Sequence, residues 1–199
     1  LCGNDVIEYK KYDDVFTIAA GLIANNKIIG WFQGGSEFGP RSLGNRSILA
    51  NPCNPDMKDI LNSQVKHRES YRPYAPSVLA EFTQDYFDFE LYTEYMLLIP
   101  MVKEDKRKVI PAVTHVDGTA RVQTITKEFN ERFYRLIHRF YEITSVPVVL
   151  NTSMNVMGEP ICETPSDAVN CLINANLDYL VIGNYIAVKK GGRNSLPQQ

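Results

Sequence analysis

Four groups of side chains in this sequence have the charge and polarity that chemistry on a phosphate or an amide requires. The first is Glu37-Phe38-Gly39-Pro40-Arg41-Ser42-Leu43-Gly44-Asn45-Arg46-Ser47. Its glycines let backbone approach an anion closely, and Arg41 and Arg46 offer planar forks that match phosphate oxygens. A Gly-Pro turn carrying two surface arginines is the plain alternative. The second group, Lys66-His67-Arg68-Glu69, runs on to Tyr71-Arg72-Pro73-Tyr74-Ala75-Pro76. In an extended chain, alternation puts Lys66, Arg68 and Arg72 on one face, where three cations could converge on a polyphosphate. Its competitor is a solvated charge run after a helix. Third, Val148-Val149-Leu150 delivers Asn151-Thr152-Ser153-Met154-Asn155 at the end of a buried strand. Amide and hydroxyl groups there suit the orientation of a phosphate or an amide, against a simple polar turn. In the fourth, His115-x-Asp117-Gly118-Thr119-x-Arg121, Arg121 could bind phosphate. His115 could donate to a carbonyl or satisfy a core hydrogen bond.

Other chemistries find little support. No Gly-x-Ser-x-Gly elbow occurs, no cysteine has a histidine neighbour, and the absence of a Walker motif excludes an ordinary P-loop. Cys2, Cys53, Cys162 and Cys171 never form Cys-x-x-Cys and read as reduced core or surface thiols. His67, His115 and His138 lack His-x-x-x-His spacing, so no protein metal site is predicted. What remains is electrostatic catalysis by fixed Arg and Lys residues, with magnesium arriving on a nucleotide. Charge-assisted hydrogen bonds of about 1.5 to 3 kcal/mol each mean that four or five could hold a triphosphate.

The elements that must position these groups belong to a chain of 199 residues with 44% hydrophobic and 22% charged residues, as expected of a globular domain. A net charge of -2 and the lack of an aromatic single-strand platform argue against nucleic acid. No apolar run approaches the roughly 20 residues of a spanning helix and no signal peptide is evident, so a cytoplasmic location is expected. A first residue of Leu suggests a fragment or a trimmed product. Helical spacing is expected from residue 13 to about 25, over 55–65, over 126–144 and over 165–176, with Thr164 as a cap. A short helix or turn is expected over 81–89. Strands are expected at 27–33, 77–80, 95–101 and 146–150, with one or two more over 177–189. Residues 72–76 are extended, 103–108 is a solvated turn, and 113–125 is an extended stretch able to line a site. Alternating helices and strands predict an α/β fold, a twisted mixed sheet with packed helices. Residues 1–12 read as a lead-in, 13–190 as the domain and 191–199 as a disordered tail. Phe82, Tyr86, Phe87 and Phe89 offer an apolar patch for a homodimer.

Together, Trp31-Phe32-Gln33-Gly34, the Glu37 to Ile48 string, the Lys66 to Pro76 string, His115-Val116-Asp117-Gly118-Thr119-Ala120-Arg121 and Leu150-Asn151-Thr152-Ser153-Met154-Asn155 resemble the O-carbamoyltransferase family of nodulation-factor and antibiotic biosynthesis. The resemblance covers about residues 13–189 and concerns that family's C-terminal domain. It implies the threonylcarbamoyl-adenylate synthase (YrdC-like) fold and the formation of carbamoyl-adenylate from carbamoyl phosphate and ATP with magnesium. It also implies transfer to a hydroxyl acceptor by an N-terminal sugar-kinase-like domain absent here, so this chain alone is not expected to complete transfer. The anion-binding and catalytic set it implies is Arg41, Lys66, Arg72, Arg121 and Ser153, joined by Arg68 and by Asn151 as the group orienting carbamoyl or phosphate. Arg46, His115 and Asn155 match the motifs with roles left open between ligand contact and support. Met154 stands where the family often has an aromatic residue, a change that should matter little because Met fills irregular space. The competing readings are a nucleotide- or RNA-binding module of the same fold without turnover, and a purely structural oligomerisation module.

Overall fold

Apolar residues at helical spacing build α1 (Val15–Ala24), which buries Val15, Phe16, Ala19, Ala20 and Ile23 and is capped where Asp14 accepts from the Thr17 N–H. The computed structural model describes residues 6–198. Ahead of α1 lies β1 (Ile7–Lys11); after it come β2 (Ile29–Phe32), β3 (Arg46–Ala50) and the short α2 (Met57–Ile60), which runs into one π turn, Leu61–Val65. The chain continues through β4 (Ala75–Leu79), α3 (Thr83–Tyr86), α4 (Glu104–Arg107), β5 (Gln123–Ile125), α5 (Glu131–Thr144), β6 (Val148–Ser153), α6 (Pro165–Asn174), β7 (Tyr179–Ile182) and β8 (Tyr185–Lys189). All eight strands form one sheet in the order β1-β8-β7-β2-β3-β6-β4-β5. The β2–β7 and β4–β5 pairs are parallel and the others antiparallel, so the sheet is mixed, as the alternation of elements predicts.

Neighbouring residues of β2 show the two faces. Trp31 packs against Phe16 of α1 with ring centroids 6.2 Å apart. On the other face a Cβ at Gly30 would lie 3.0 to 3.2 Å from Leu180, Met154 and Leu177, so only glycine lets these side chains close in. Helix α5 packs along α1 and buries Phe133, Leu136, Ile137 and Phe140, each stabilising the fold by about 1.5 to 3 kcal/mol. Cys162 and Cys171 meet in the core as free thiols, and Cys53 is half-buried; Cys2 lies outside the described residues.

Several expectations need correction. Helix α5 starts at Glu131, because Asn130 adopts an extended conformation and caps the Phe133 N–H, while Thr126 holds a separate turn through the Phe129 N–H. Residues 103–108 contain a helical turn, α4, rather than a plain solvated turn. Residues 95–101 form no strand, and Leu97, Leu98 and Ile99 are 76%, 43% and 56% exposed. The outer side of β5 is already met by Thr93, which bonds Thr124 in both directions, and the run pairs only at its end, where the Ala120 N–H donates to the Pro100 carbonyl and Met101 bridges Thr119. The expected dimer patch is largely core: Tyr86 and Phe87 are buried, and Phe82 and Phe89 pack against the same cluster. Residues 7–11, read as part of a lead-in, pair with β8 as a strand of the sheet. The tail is docked, not free. Arg193 pairs with Asp178 at 3.1 Å, Asn194 donates to the same carboxylate, and the Tyr12 hydroxyl donates to the Pro197 carbonyl. Among the described residues no helix is long and apolar enough to cross a membrane.

Candidate active site

One cavity of about 320 Å³ gathers eight of the ten singled-out residues. Arg41, Lys66, Arg68, Arg72 and Arg121 supply its positive charge, and Asn151, Ser153 and Asn155 supply amide and hydroxyl groups. No Asp or Glu lines it. Among the described residues none of its cations has a carboxylate partner in an ion pair. An anion would therefore meet charge that the protein leaves uncompensated.

Asn151 and Ser153 lie two apart on β6, so the pleat puts them on one face. Their places are fixed by pairing of Asn151 with Leu49 and Ala75, and of Ser153 with Ser47. The site begins within the sheet, not in the loop beyond it. Lys66, at the end of the π turn, is 6% exposed, and its ammonium donates to the carbonyls of Ser153 and Asn155 and to Asn155 Oδ1. All three of its protons are thus engaged in bracing the end of β6. Ser153 Oγ donates to the same Asn155 Oδ1, and Asn155 Nδ2 donates to the Glu159 carbonyl.

Burial draws the Lys66 ammonium down to about 8, and the neighbouring charge of Arg68 adds to the shift against the opposing influence of Cys171 and Cys162. A lysine with a lowered pKa is charged below it and neutral above it. The cavity therefore loses a positive charge as pH rises through about 8. Sulfate, whose own charge is constant there, is expected to bind several-fold more weakly at pH 9 than at pH 7 by calorimetric titration, and Lys66→Gln should flatten that difference.

Residues 66–72 do not run as an extended strand. His67 is left-handed at φ 46°, and a turn closes where the Arg72 N–H donates to the Glu69 carbonyl. The cations converge because this curl is pinned by Asn62, which is 1% exposed. Asn62 Nδ2 donates to the carbonyls of Ser70 and Arg72, and its Oδ1 accepts from Arg68 Nε and the Tyr74 hydroxyl, both at 2.8 Å. The Arg68 guanidinium also lies over the Tyr74 ring at 4.6 Å. Sequence reasoning missed Asn62, which opens the polar stretch Asn62-Ser63-Gln64 and carries no signal that sets it apart from its neighbours. Replacement by the similar-sized leucine leaves four polar groups unpaired. Asn62→Leu is expected to cost about 2 to 4 kcal/mol in urea unfolding and to weaken sulfate binding at least tenfold.

The glycine-rich loop divides its arginines. Arg41 lines the cavity. Arg46 does not. It is 4% exposed, sits 3.7 Å over the Phe32 ring and donates to the carbonyls of Gln33, Asn45 and Gly34. Those bonds and its burial already use its fork. Glu37 secures the loop from within, its carboxylate accepting from the N–H groups of Leu43, Asn45 and Arg46. Burial raises the Glu37 pKa against the opposing pull of these bonds. At the turn, Gly44 has φ 111° and lies against the Phe133 ring.

Arg121 is half-buried, and its Nε has no partner. Burial draws its pKa below the arginine value, with the like charges of Arg41 and Arg68 adding to the effect. His115 stays outside this cavity. It lines a neighbouring one of about 380 Å³, with Nδ1 3.0 Å from Thr119 Oγ1, and its pKa is lowered chiefly by burial.

A family model described as carbamoyltransferase C-terminus matches residues 20–189. The chain belongs to that family. It is 47% identical over 187 residues to nodulation protein NolNO of Sinorhizobium fredii, covering 92% of this chain and 28% of that protein. It is 38% identical over 165 residues to the 3'-hydroxymethylcephem-O-carbamoyltransferase of Amycolatopsis lactamdurans, covering 83% of this chain and 31% of that one. The chain spans about a third of the length of the curated relatives it matches. Among solved structures, full-length HypF in its phosphate- and nucleotide-bound form superposes with a TM-score of 0.57 at 18% identity, covering 88% of this chain and 22% of that one. P. abyssi Sua5 complexed with L-threonine gives 0.58 at 15% identity, covering 85% and 46%. These likenesses establish a YrdC-like fold for this carbamoyltransferase C-terminal domain.

Proposed function

We propose that this domain forms carbamoyl-adenylate from carbamoyl phosphate and ATP, releasing phosphate and pyrophosphate, and that a second domain passes the carbamoyl group to a hydroxyl acceptor. The observation that carries this reading is the cavity itself: five cations, no carboxylate, and polar atoms of β6 on its wall. Carbamoyl phosphate reacts with water at its carbonyl carbon, the carbon–oxygen bond to phosphate breaks, and phosphate leaves with a proton released. The resulting carbamate oxygen then attacks the α-phosphorus of ATP, and the bond to the pyrophosphate oxygen breaks. Both steps move negative charge between phosphate oxygens, which fixed guanidinium groups stabilise without a general base.

In this scheme Arg41, Arg68 and Arg72 surround the phosphates, and Arg121 directs its unpartnered Nε–H to one phosphate oxygen. Ser153 and Asn151 face the carbamoyl end, while Lys66 adds charge and holds Ser153 and Asn155 in place. The absence of a lining carboxylate fits magnesium carried on the nucleotide, where it neutralises phosphate charge, better than magnesium held by the protein. Pyrophosphate release from ATP and magnesium, measured with and without carbamoyl phosphate, tests the scheme. Release that depends on carbamoyl phosphate supports it. ATP binding without release would instead favour a nucleotide-binding module.

A further inference from the structure

Residues 95–101 carry an apolar surface that this chain does not cover. Tyr95, Leu97, Leu98, Ile99 and Met101 are all exposed. An extended segment lying on a core buries alternate side chains, but Leu97, Leu98 and Ile99 are open in succession, so neither side of the run rests on the sheet. Among the described residues, nothing in the chain pairs with the backbone N–H and C=O groups of these three. The run is nevertheless held at both ends. Met96, left-handed at φ 55°, is buried against Leu43 and Ala75. At the far end the Ala120 N–H donates to the Pro100 carbonyl and Met101 bridges Thr119. A fixed, contiguous apolar run in water is the mark of a surface that a partner covers.

Its place in the fold selects the partner. Both ends of the run meet the wall of the cation-lined cavity, since Met96 lines that cavity and Ala120 is followed by Arg121, which lines it too. A second copy fits this position poorly. An isologous contact through the face would set two cavities side by side, each with five cations and no lining carboxylate. The curated relatives point elsewhere, because the match to this chain covers 33%, 28% and 34% of three of them, and the rest of each is joined to the matching part. We infer that residues 95–101 are the seat of the second domain, which docks through Leu97, Leu98 and Ile99 beside the mouth of the cavity. The open backbone of these three residues also allows a strand of that domain to pair with them, as at the edge of a sheet. This inference rests on the two-domain reading proposed above.

The test grafts this chain into nodulation protein NolNO in place of the 187 residues it matches, and follows amide hydrogen exchange in the graft and in the chain alone. In the chain alone the amides of residues 97–99 are expected to exchange freely, and in the graft to slow by about tenfold or more. Leu97→Ser combined with Ile99→Ser should leave the chain alone melting within about 2 °C of wild type, because both side chains are exposed, and should abolish the protection in the graft. Equal exchange in graft and chain overturns the docking. A fall of more than about 5 °C in the doubly substituted chain does so too, since the run would then belong to this fold. Protection that grows with concentration in the chain alone assigns the face to a second copy and overturns the inference. None of these readouts needs turnover. Docking without carbamoyl-phosphate-dependent pyrophosphate release would overturn the proposed reaction and leave the seat standing.

Discussion

Arg121→Ala is expected to lower carbamoyl-phosphate-dependent pyrophosphate release by about 10²- to 10³-fold, the size seen when one preorganised donor at a developing charge is removed. Three features make this arginine the most sensitive of the set. It is half-buried, so its field acts through a medium poorer in water than that around Arg41 and Arg72. Its Nε has no protein partner, so a ligand loses a hydrogen bond outright when the side chain is cut. It also sits close enough to Arg41 and Arg68 for their charges to depress its pKa. Arg121→Lys keeps the charge without the fork and should recover only part of the rate. If Arg121→Ala kept more than a third of wild-type release, the assignment of this residue to the reacting phosphates would be wrong.

The largest structural effect is expected at Gly44. Its φ of 111° is disfavoured for any residue with a Cβ, and a Cβ built there would clash with the Phe133 ring. Phe133 is fully buried and cannot withdraw without disturbing the face that α5 presents to the sheet. Backbone strain and overpacking together should make Gly44→Ala cost about 3 kcal/mol or more. In a domain of this size that lowers the melting temperature by roughly 6 to 12 °C. The same change shifts the loop that Glu37 holds together, so anion affinity should fall in the material that still folds. A variant melting within about 2 °C of wild type would show that α5 gives way more easily than its packing implies.

The parts of the fold legible in the sequence are those where one local pattern decides the outcome. The apolar face of α5, the capping box that opens α6 with Thr164 and Asp167, and the buried run of β6 are of this kind. The site was legible as a set of cations because Arg41, Lys66, Arg68, Arg72 and Arg121 fall in loops or at element ends. What brings them together was not, since it depends on contacts distant in sequence. Asn62 organises the Lys66 to Arg72 curl with four hydrogen bonds, yet in sequence it is one of three consecutive polar residues, Asn62-Ser63-Gln64, with nothing to single it out. Arg46 carries the same chemical promise as Arg41, and only the Phe32 ring and three backbone carbonyls show that it turns inward. Residues 95–101 have the composition of a strand, but Thr93 has taken the edge of β5 and only Pro100 and Met101 find backbone partners, at residues 119 and 120. The strand at Ile7–Lys11 went unseen for the opposite reason: its burial pattern is almost wholly exposed, and pairing with β8 supplies what periodicity does not.

The cations of the cavity repel one another and no carboxylate lines it, so this cluster is a place where the fold is weaker than it could be. Substitutions chosen only for thermal tolerance should therefore collect here, neutralising Arg41, Arg68 or Arg72, and the hardier proteins they yield should be the inactive ones. Comparing a stability screen with an activity screen over these positions would mark out the working surface of the domain without any substrate in hand.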